Sequence, residues 1–236
     1  QFIFISSTAV YKQTEEFCIK TETNSTPGSL TWSYGYNKFL CEQMLAESGI
    51  NYTIVRPSYT YNNIRFFNPY TINHWESWTI ANRMLTGRPI VLYDDGMQLC
   101  TITHTTDFAK AFVGLWGNQA AMNEAFHITS NEYLTWRQIA EIQAEILGTN
   151  IEFLLVDNDK LCYELGWNAA EKILHTVHNA CYDSSKVCSV VPEFKCSTTF
   201  REGMAKTIEF YLENPQYQKI NGEWDRNFDR ISEKYR

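Results

Sequence analysis

The sequence predicts an α/β fold, part of a doubly wound parallel sheet joined to a smaller α+β region. Phe2-Ile3-Phe4-Ile5 is an unbroken apolar, β-rich run, the pattern of a strand buried on both faces of a parallel sheet. Apolar residues at helical spacing follow, and Tyr52-Thr53-Ile54-Val55 then repeats the strand pattern. Strand, helix, strand is a βαβ unit, the crossover that parallel strands require.

Composition excludes several classes. The 236 residues are 44% hydrophobic and 15% aromatic, so the chain is neither disordered nor fibrous and can bury roughly 70–75% of the surface its unfolded form exposes. Lys and Arg number 20 against 27 Asp and Glu, a net charge of -7 with no basic run, which argues against nucleic acid as the main ligand. No stretch reaches the ~18 apolar residues of a membrane span, and the opening residues lack a signal peptide's basic and apolar regions, so no membrane partner is expected. The 7 cysteines are scattered without a C-x-x-C, which favours free thiols in a reducing cytoplasm over disulfides or zinc.

The elements follow in order. Residues 8–32 are polar and irregular, far longer than the usual ~4–6-residue connection, and such loops are more often active-site segments. A helix starts near Ser33, carries Phe39, Leu40, Met44 and Leu45 at helical spacing, and stops at Gly49. Arg56-Pro57 breaks the second strand. Downstream the pattern predicts helices near 73–86, 105–116, 135–147, 157–165 and 199–213, with short strands near 89–92, 100–103, 125–128 and 152–156. Thr199 and Glu202 form a capping box, and Pro215 ends the last helix. Residues 1–62, with the strand and helix of 105–130 returning to them, are expected to form one domain. Residues 63–104 and 131–236 form a substrate-binding region.

In open parallel sheets ligands bind beyond the carboxyl ends of the strands. Ser6-Ser7-Thr8 follows the first strand, Pro57-Ser58-Tyr59-Thr60 the second, and Tyr34-Gly35-Tyr36-Asn37-Lys38 opens the crossover helix. Tyr34 and Lys38 are four apart, on one helix face. A phenol near pKa 10 is a poor base, but an ammonium one turn away and a positive cofactor ring favour its ionised form. A shift of about 3 units takes roughly 4 kcal/mol, which a desolvated site with two cations supplies and one exposed lysine does not. Ser7 then holds the substrate oxygen while Tyr34 moves the proton. Spacing alone decides nothing, because Tyr182 and Lys186 repeat it. Only Tyr34 and Lys38 lie in a βαβ unit behind a strand that ends in hydroxyls.

Ile5-Ser6-Ser7-Thr8-Ala9-Val10-Tyr11, Tyr34-x-x-x-Lys38, Ile54-Val55-Arg56-Pro57 and His104…Asp107-Phe108-Ala109-Lys110-Ala111 resemble, in order and spacing, the extended short-chain dehydrogenase/reductases of the NAD-dependent epimerase/dehydratase type. The resemblance covers nearly the whole chain. It implies the later part of a Rossmann-type sheet, hydride transfer with NAD or NADP, and catalysis by Ser7, Tyr34 and Lys38. It also implies that Lys38 holds the nicotinamide ribose, that Pro57, Ser58 and Tyr59 form the loop beside the nicotinamide, and that Ser7 and Thr8 meet a small-molecule substrate. In the resemblance the helix 33–48 joins a homodimer, with Phe39, Leu40, Gln43 and Met44 as its apolar strip.

Three departures shape the reading. None of the 11 glycines forms the family's pyrophosphate-seating turn. The chain is therefore expected to be the later two-thirds of a longer protein, lacking roughly 100 residues with four strands of the sheet, and to bind the cofactor negligibly alone. Tyr59 replaces a substrate-binding Asn, and Cys100 replaces the Arg that meets a nucleotide sugar's diphosphate. UDP- and dTDP-sugars are then expected to be poor ligands beside a smaller hydroxy or keto compound, with Arg65, Arg83 and Arg88 as possible substitutes. The alternative is a catalytically inactive relative that uses the scaffold to bind RNA or protein, against which the intact triad and acidic charge count. His175 and His178 lack the supporting ligands of a metal site. His104 and Asp107 are read as turn-setting residues. The aromatics of 66–78 fit a pocket wall and a core equally.

Overall fold

A computed structural model of the chain describes all residues except 14–16, 25, 29–31, 71, 167–172 and 174–176. The chain divides into two compact units: Gln1–Thr60, Cys100–Tyr133 and His178–Thr198 form the first, and Tyr61–Leu99, Leu134–Val177 and Thr199–Arg236 the second. The sequence reading put 178–198 with the substrate-binding region. It lies in the first unit because β10 (Cys181–Tyr182) pairs in parallel with β2 (Ile19–Lys20) and Ala180 bridges to Cys100.

In the first unit, β1 (Phe2–Ile5), β3 (Tyr52–Arg56) and β7 (Glu124–His127) form a parallel sheet in that spatial order. The crossover between β1 and β3 is α1 (Ser33–Glu47), which turns Glu42 and Leu45 inward and lays the Lys38 ammonium over the Phe4 ring. On the other face α3 (Thr105–Leu115) and the helix Ser185–Val190 close a core of Val55, Ala111, Leu115, Phe126, Val187 and Val191. Alternation along β3 explains the division: Val55 points to that core, and Arg56 points to α1. β1 departs from expectation. Phe2 and Ile5 are 50% and 46% exposed, because among the described residues β1 pairs only with β3 and is the sheet's edge.

In the second unit β5 (Ile90–Tyr93) and β9 (Phe153–Val156) pair in parallel. They pack with α2 (Trp78–Leu85), α4 (Trp136–Leu147) and the helix Phe200–Glu213 around buried aromatics. Phe67 stacks on Trp136 at 5.7 Å, and Trp78 meets Tyr211 at 4.7 Å. The aromatics of 66–78 thus divide: Phe66, Phe67, Tyr70 and Trp78 are core, whereas Trp75 is exposed. Thr199 and Glu202 form the expected reciprocal cap. A terminal helix, Gly222–Tyr235, was not anticipated. Asn221 caps it by accepting the Trp224 N–H at 2.9 Å, and Phe228 and Ile231 bury its apolar face. Among the described residues no helix is long and apolar enough to cross a membrane.

Candidate active site

The site residues of the first unit gather at the carboxyl ends of β1 and β3. Ser7 caps a 3-10 turn, Thr8–Val10, where its Oγ accepts the Ala9 N–H at 3.1 Å. A hydroxyl has one proton and two lone pairs, so the Ser7 proton is still able to donate. The Thr8 N–H donates to the Pro57 carbonyl at 3.0 Å, which fixes the Ser7 turn to the loop after β3.

α1 brings Tyr34 and Lys38 to the same edge. Gly35 makes this possible, since a Cβ at that position would lie 2.6 Å from the Ala9 carbonyl oxygen. Only a glycine lets the first turn of the helix approach the Ser7 turn so closely. Tyr34 is 48% exposed, with its ring 5.4 Å from that of Trp32. Lys38 Nζ donates to the Ile5 carbonyl at 2.8 Å and stands 5.8 Å from the centre of the Tyr34 ring. One ammonium proton is thus anchored, and the charge is held beside the phenol. The second Tyr-x-x-x-Lys is no rival: Tyr182 is fully buried, and Lys186 donates to Glu124 and to the Ala125 carbonyl.

Other expected residues are placed differently. Thr8 is buried and shares a hydrogen bond with Tyr182. Cys100 is also buried, and burial pushes its thiol well above the ordinary range. Both belong to the interior of the unit. Tyr59 is half-buried on β4 (Tyr59–Tyr61). Arg83 and Arg88, the possible substitutes for a diphosphate ligand, are paired with Asp225 and Asp229 in the second unit, and Arg65 lies over Phe67. On α1, Leu40, Gln43 and Met44 are exposed and Phe39 half-buried, and Met44 also lines a groove with Phe2, Phe4 and Cys41. His104 and Asp107 do set a turn. His104 Nδ1 accepts the Thr106 N–H, and the Asp107 carboxylate takes the Ser197 and Thr198 N–H groups and Lys110. His175 lies outside the described residues.

The donor set suits a dinucleotide's ribose and carboxamide. Ser58 Oγ is buried without a hydrogen-bond partner among the described residues, in the loop that the resemblance assigns to the nicotinamide. Lys38 retains two further N–H groups. Buried hydroxyls are ordinarily paired, so the Ser58 hydroxyl keeps bonding capacity that no described residue uses.

Residues 1–128 match the NAD dependent epimerase/dehydratase family. The chain belongs to that family. The chain is similar to the chloroplast stem-loop binding protein of 41 kDa b of Arabidopsis thaliana, 31% identical over 148 residues, which are 63% of this chain and 36% of that protein. Two solved structures have the same fold. UDP-glucose 4-epimerase of Thermotoga maritima, in complex with UDP-glucose, superposes with a TM-score of 0.67 at 21% identity, over 91% of this chain and 64% of that one. UDP-glucuronic acid 4-epimerase of Bacillus cereus, in complex with NAD, gives 0.67 at 17% identity, over 90% and 61%. The chain therefore spans about a third of the curated relative's length and less than two thirds of each epimerase.

Sequence reasoning passed over Gly35, Glu42 and His127 and gave Tyr11 and Arg56 no role beyond their motifs. Glu42 carried a signal: it lies four residues after Lys38 on an inward helix face, where an unpaired carboxylate is costly and implies a buried cation.

Proposed function

We propose that this chain carries the catalytic edge of an NAD(P)-dependent epimerase/dehydratase or reductase acting on a hydroxy or keto, sugar-like compound. The observation that carries the reading is the first turn of α1, where the Lys38 ammonium is anchored on the Ile5 carbonyl beside the Tyr34 ring. When bound, the nicotinamide cofactor supplies a hydride acceptor and donor. Lys38, Ser58 and Pro57 would hold it. Ser7 donates to the substrate oxygen with the proton that its capping bond leaves available. Tyr34 moves the proton at that oxygen as general acid and base, with the anchored Lys38 ammonium beside its ring.

The substrate reading rests on what meets a diphosphate. Such a group in a partly buried site requires donors or cations, usually Arg, and Cys100 provides neither. The loss corresponds to about 2–4 kcal/mol, or ~30- to 1000-fold in affinity. Thermal-shift titration of the full-length, NAD-loaded protein tests this. Saturable stabilisation by a free hydroxy or keto sugar but not by UDP-sugars is expected, and clear stabilisation by micromolar UDP-glucose contradicts the substrate class.

A second reading is favoured by one observation, the likeness to a stem-loop binding protein. In it the scaffold binds a nucleic-acid hairpin, against the net charge of -7. Fluorescence anisotropy with a labelled RNA hairpin at physiological salt decides it. Submicromolar binding by the full-length protein, with no sugar turned over, favours this reading over the enzyme.

A further inference from the structure

Behind the candidate site, side chains from four segments of the first unit form one directed chain of hydrogen bonds. Arg56, at the end of β3, donates to both Glu42 oxygens at 3.0 and 2.7 Å and to Tyr11 Oη at 2.7 Å. Tyr11 Oη lies 2.6 Å from Nε2 of His127, at the end of β7, and His127 Nδ1 lies 2.9 Å from the Asp183 carbonyl oxygen. A carbonyl only accepts, so Nδ1 carries the imidazole proton. Nε2 is then the acceptor, and the Tyr11 hydroxyl donates to it while accepting from Arg56.

Each member adjoins a site segment. Glu42 is one turn beyond Lys38 on α1, Arg56 precedes the Pro57–Tyr59 loop, and Tyr11 closes the turn that Ser7 opens. We propose that Tyr11 and His127 are positioning residues that hold the Ser7 turn, α1 and the Pro57 loop in one register, and that protonation of His127 releases that register. As a statement about catalysis this rests on the function proposed above.

A proton added to Nε2 would point at an oxygen already accepting from Arg56. The Tyr11 proton would lose its acceptor, and a second cation would stand close to the guanidinium. Among the described residues the other groups facing His127 are few. The Glu22 carboxylate takes the His127 backbone N–H at 2.8 Å and lies 4.0 Å from Nδ1. The Tyr182 ring meets the imidazole edge-on at 5.4 Å, and the Asp183 carboxylate is turned onto Ser185. Lys186, from the helix packed against β7, pairs with Glu124 at the far end of that strand. Burial pushes the His127 imidazole below its ordinary range, Glu22 and the Asp183 bond pull it up, and Arg56 pushes it down. The chain of bonds is intact with neutral His127 and is broken in acid.

The test uses the full-length protein with NAD and a sugar it turns over. Tyr11→Phe removes one hydroxyl and should lower kcat on the order of 10-fold with little change in KM, and should shift the acid limb of the kcat profile. Ile139→Val, in the second unit, is a stability control that should move neither. Imidazole nitrogen NMR should show His127 as the Nδ1–H tautomer at neutral pH. The Lys38 ammonium protons, slowed by the Ile5 carbonyl, should exchange faster in Tyr11→Phe and in wild type below the His127 titration. An unchanged kcat and acid limb in Tyr11→Phe, or an Nε2–H tautomer in the wild type, overturns the proposal. If the wild type turns over no sugar, the functional reading fails separately. The spectra then decide: equal Lys38 exchange above and below the His127 titration overturns positioning, and faster exchange below it supports positioning. That wild-type comparison also holds if Tyr11→Phe does not fold.

Discussion

Arg56 in the first unit and Arg83 in the second are both withdrawn from solvent, 8% and 1% exposed, but their partners differ. Arg56 is closed in by Glu42, Tyr11 and the Glu22 carbonyl, and the Glu42 side chain is 4% exposed. Arg83 is met by Asp225 and Asp229, 19% and 45% exposed, and by the Pro89 carbonyl. The first pair is a dry ion pair built into the edge that carries the candidate site. The second fastens a terminal helix through carboxylates that water reaches. Losing a partner from a dry pair strands a charge, whereas a rim pair lets water take its place.

The largest expected effect follows from that contrast. Glu42→Gln should destabilise the first unit by about 3–5 kcal/mol, whereas Asp229→Asn should cost ~1 kcal/mol or less, because Asp225 and solvent remain. Denaturant titration with hydrogen-exchange mapping reads both, and equal costs break the comparison. Two glycines extend it. Gly35→Ala sets a methyl against the Ala9 backbone and should cost about 1–3 kcal/mol, with a loss of turnover beyond what stability explains. Gly148→Ala meets open space but keeps a φ of +68°, so it should cost about 1 kcal/mol and leave turnover alone.

Acid should loosen the first unit before the second. A histidine held below its ordinary value contributes stability that is complete above about pH 6.5 and is lost as pH falls through its folded value. His127 is in this class. In the second unit two carboxylates are held down: Lys234, with Arg230 and Tyr235, lowers Glu164, and the Thr199 cap lowers Glu202. Their contributions are complete above the ordinary carboxylate value and vanish only below it. Hydrogen exchange at about pH 5 should therefore show β3 and β7 opening while the helix Phe200–Glu213 stays protected. The reverse order contradicts the assignment.

The smallest effect is chemical labelling. Cys41 is exposed on α1, whereas Cys100 and Cys181 are buried and burial pushes the Cys181 thiol up to about 11. Iodoacetamide should modify Cys41 first and those two only on unfolding. Early labelling of Cys181 would show the β2–β10 pair to be open.

The β1–α1–β3 unit was legible because its signals are local: two apolar runs, a helical spacing and hydroxyls directly after a strand. That Ser7, Tyr34 and Lys38 would share the edge beyond β1 was legible for the same reason. The terminal helix was missed because Pro215 was read as the end of the last helix, although Trp224, Phe228 and Ile231 keep helical spacing beyond it. The assignment of 178–198 to the first unit was hidden because it rests on a two-residue strand, too short to show a period. The Glu42–Arg56–Tyr11–His127 chain was invisible for a different reason. Its members are up to 116 residues apart, and each alone reads as a polar residue at the end of an element. Only the parallel register that sets Arg56 beside His127 brings them together.

The central claim is that Tyr34, on the anchored first turn of α1, moves the proton in a hydride-transfer reaction. The most direct measurement is single-turnover formation of reduced nicotinamide after mixing the full-length, NAD-loaded protein with a sugar it converts, wild type against Tyr34→Phe. The account expects the chemical step to fall at least ~10²-fold in Tyr34→Phe, with cofactor affinity and thermal stability close to wild type. A rate within a few-fold of wild type, in a folded and NAD-loaded variant, would contradict it.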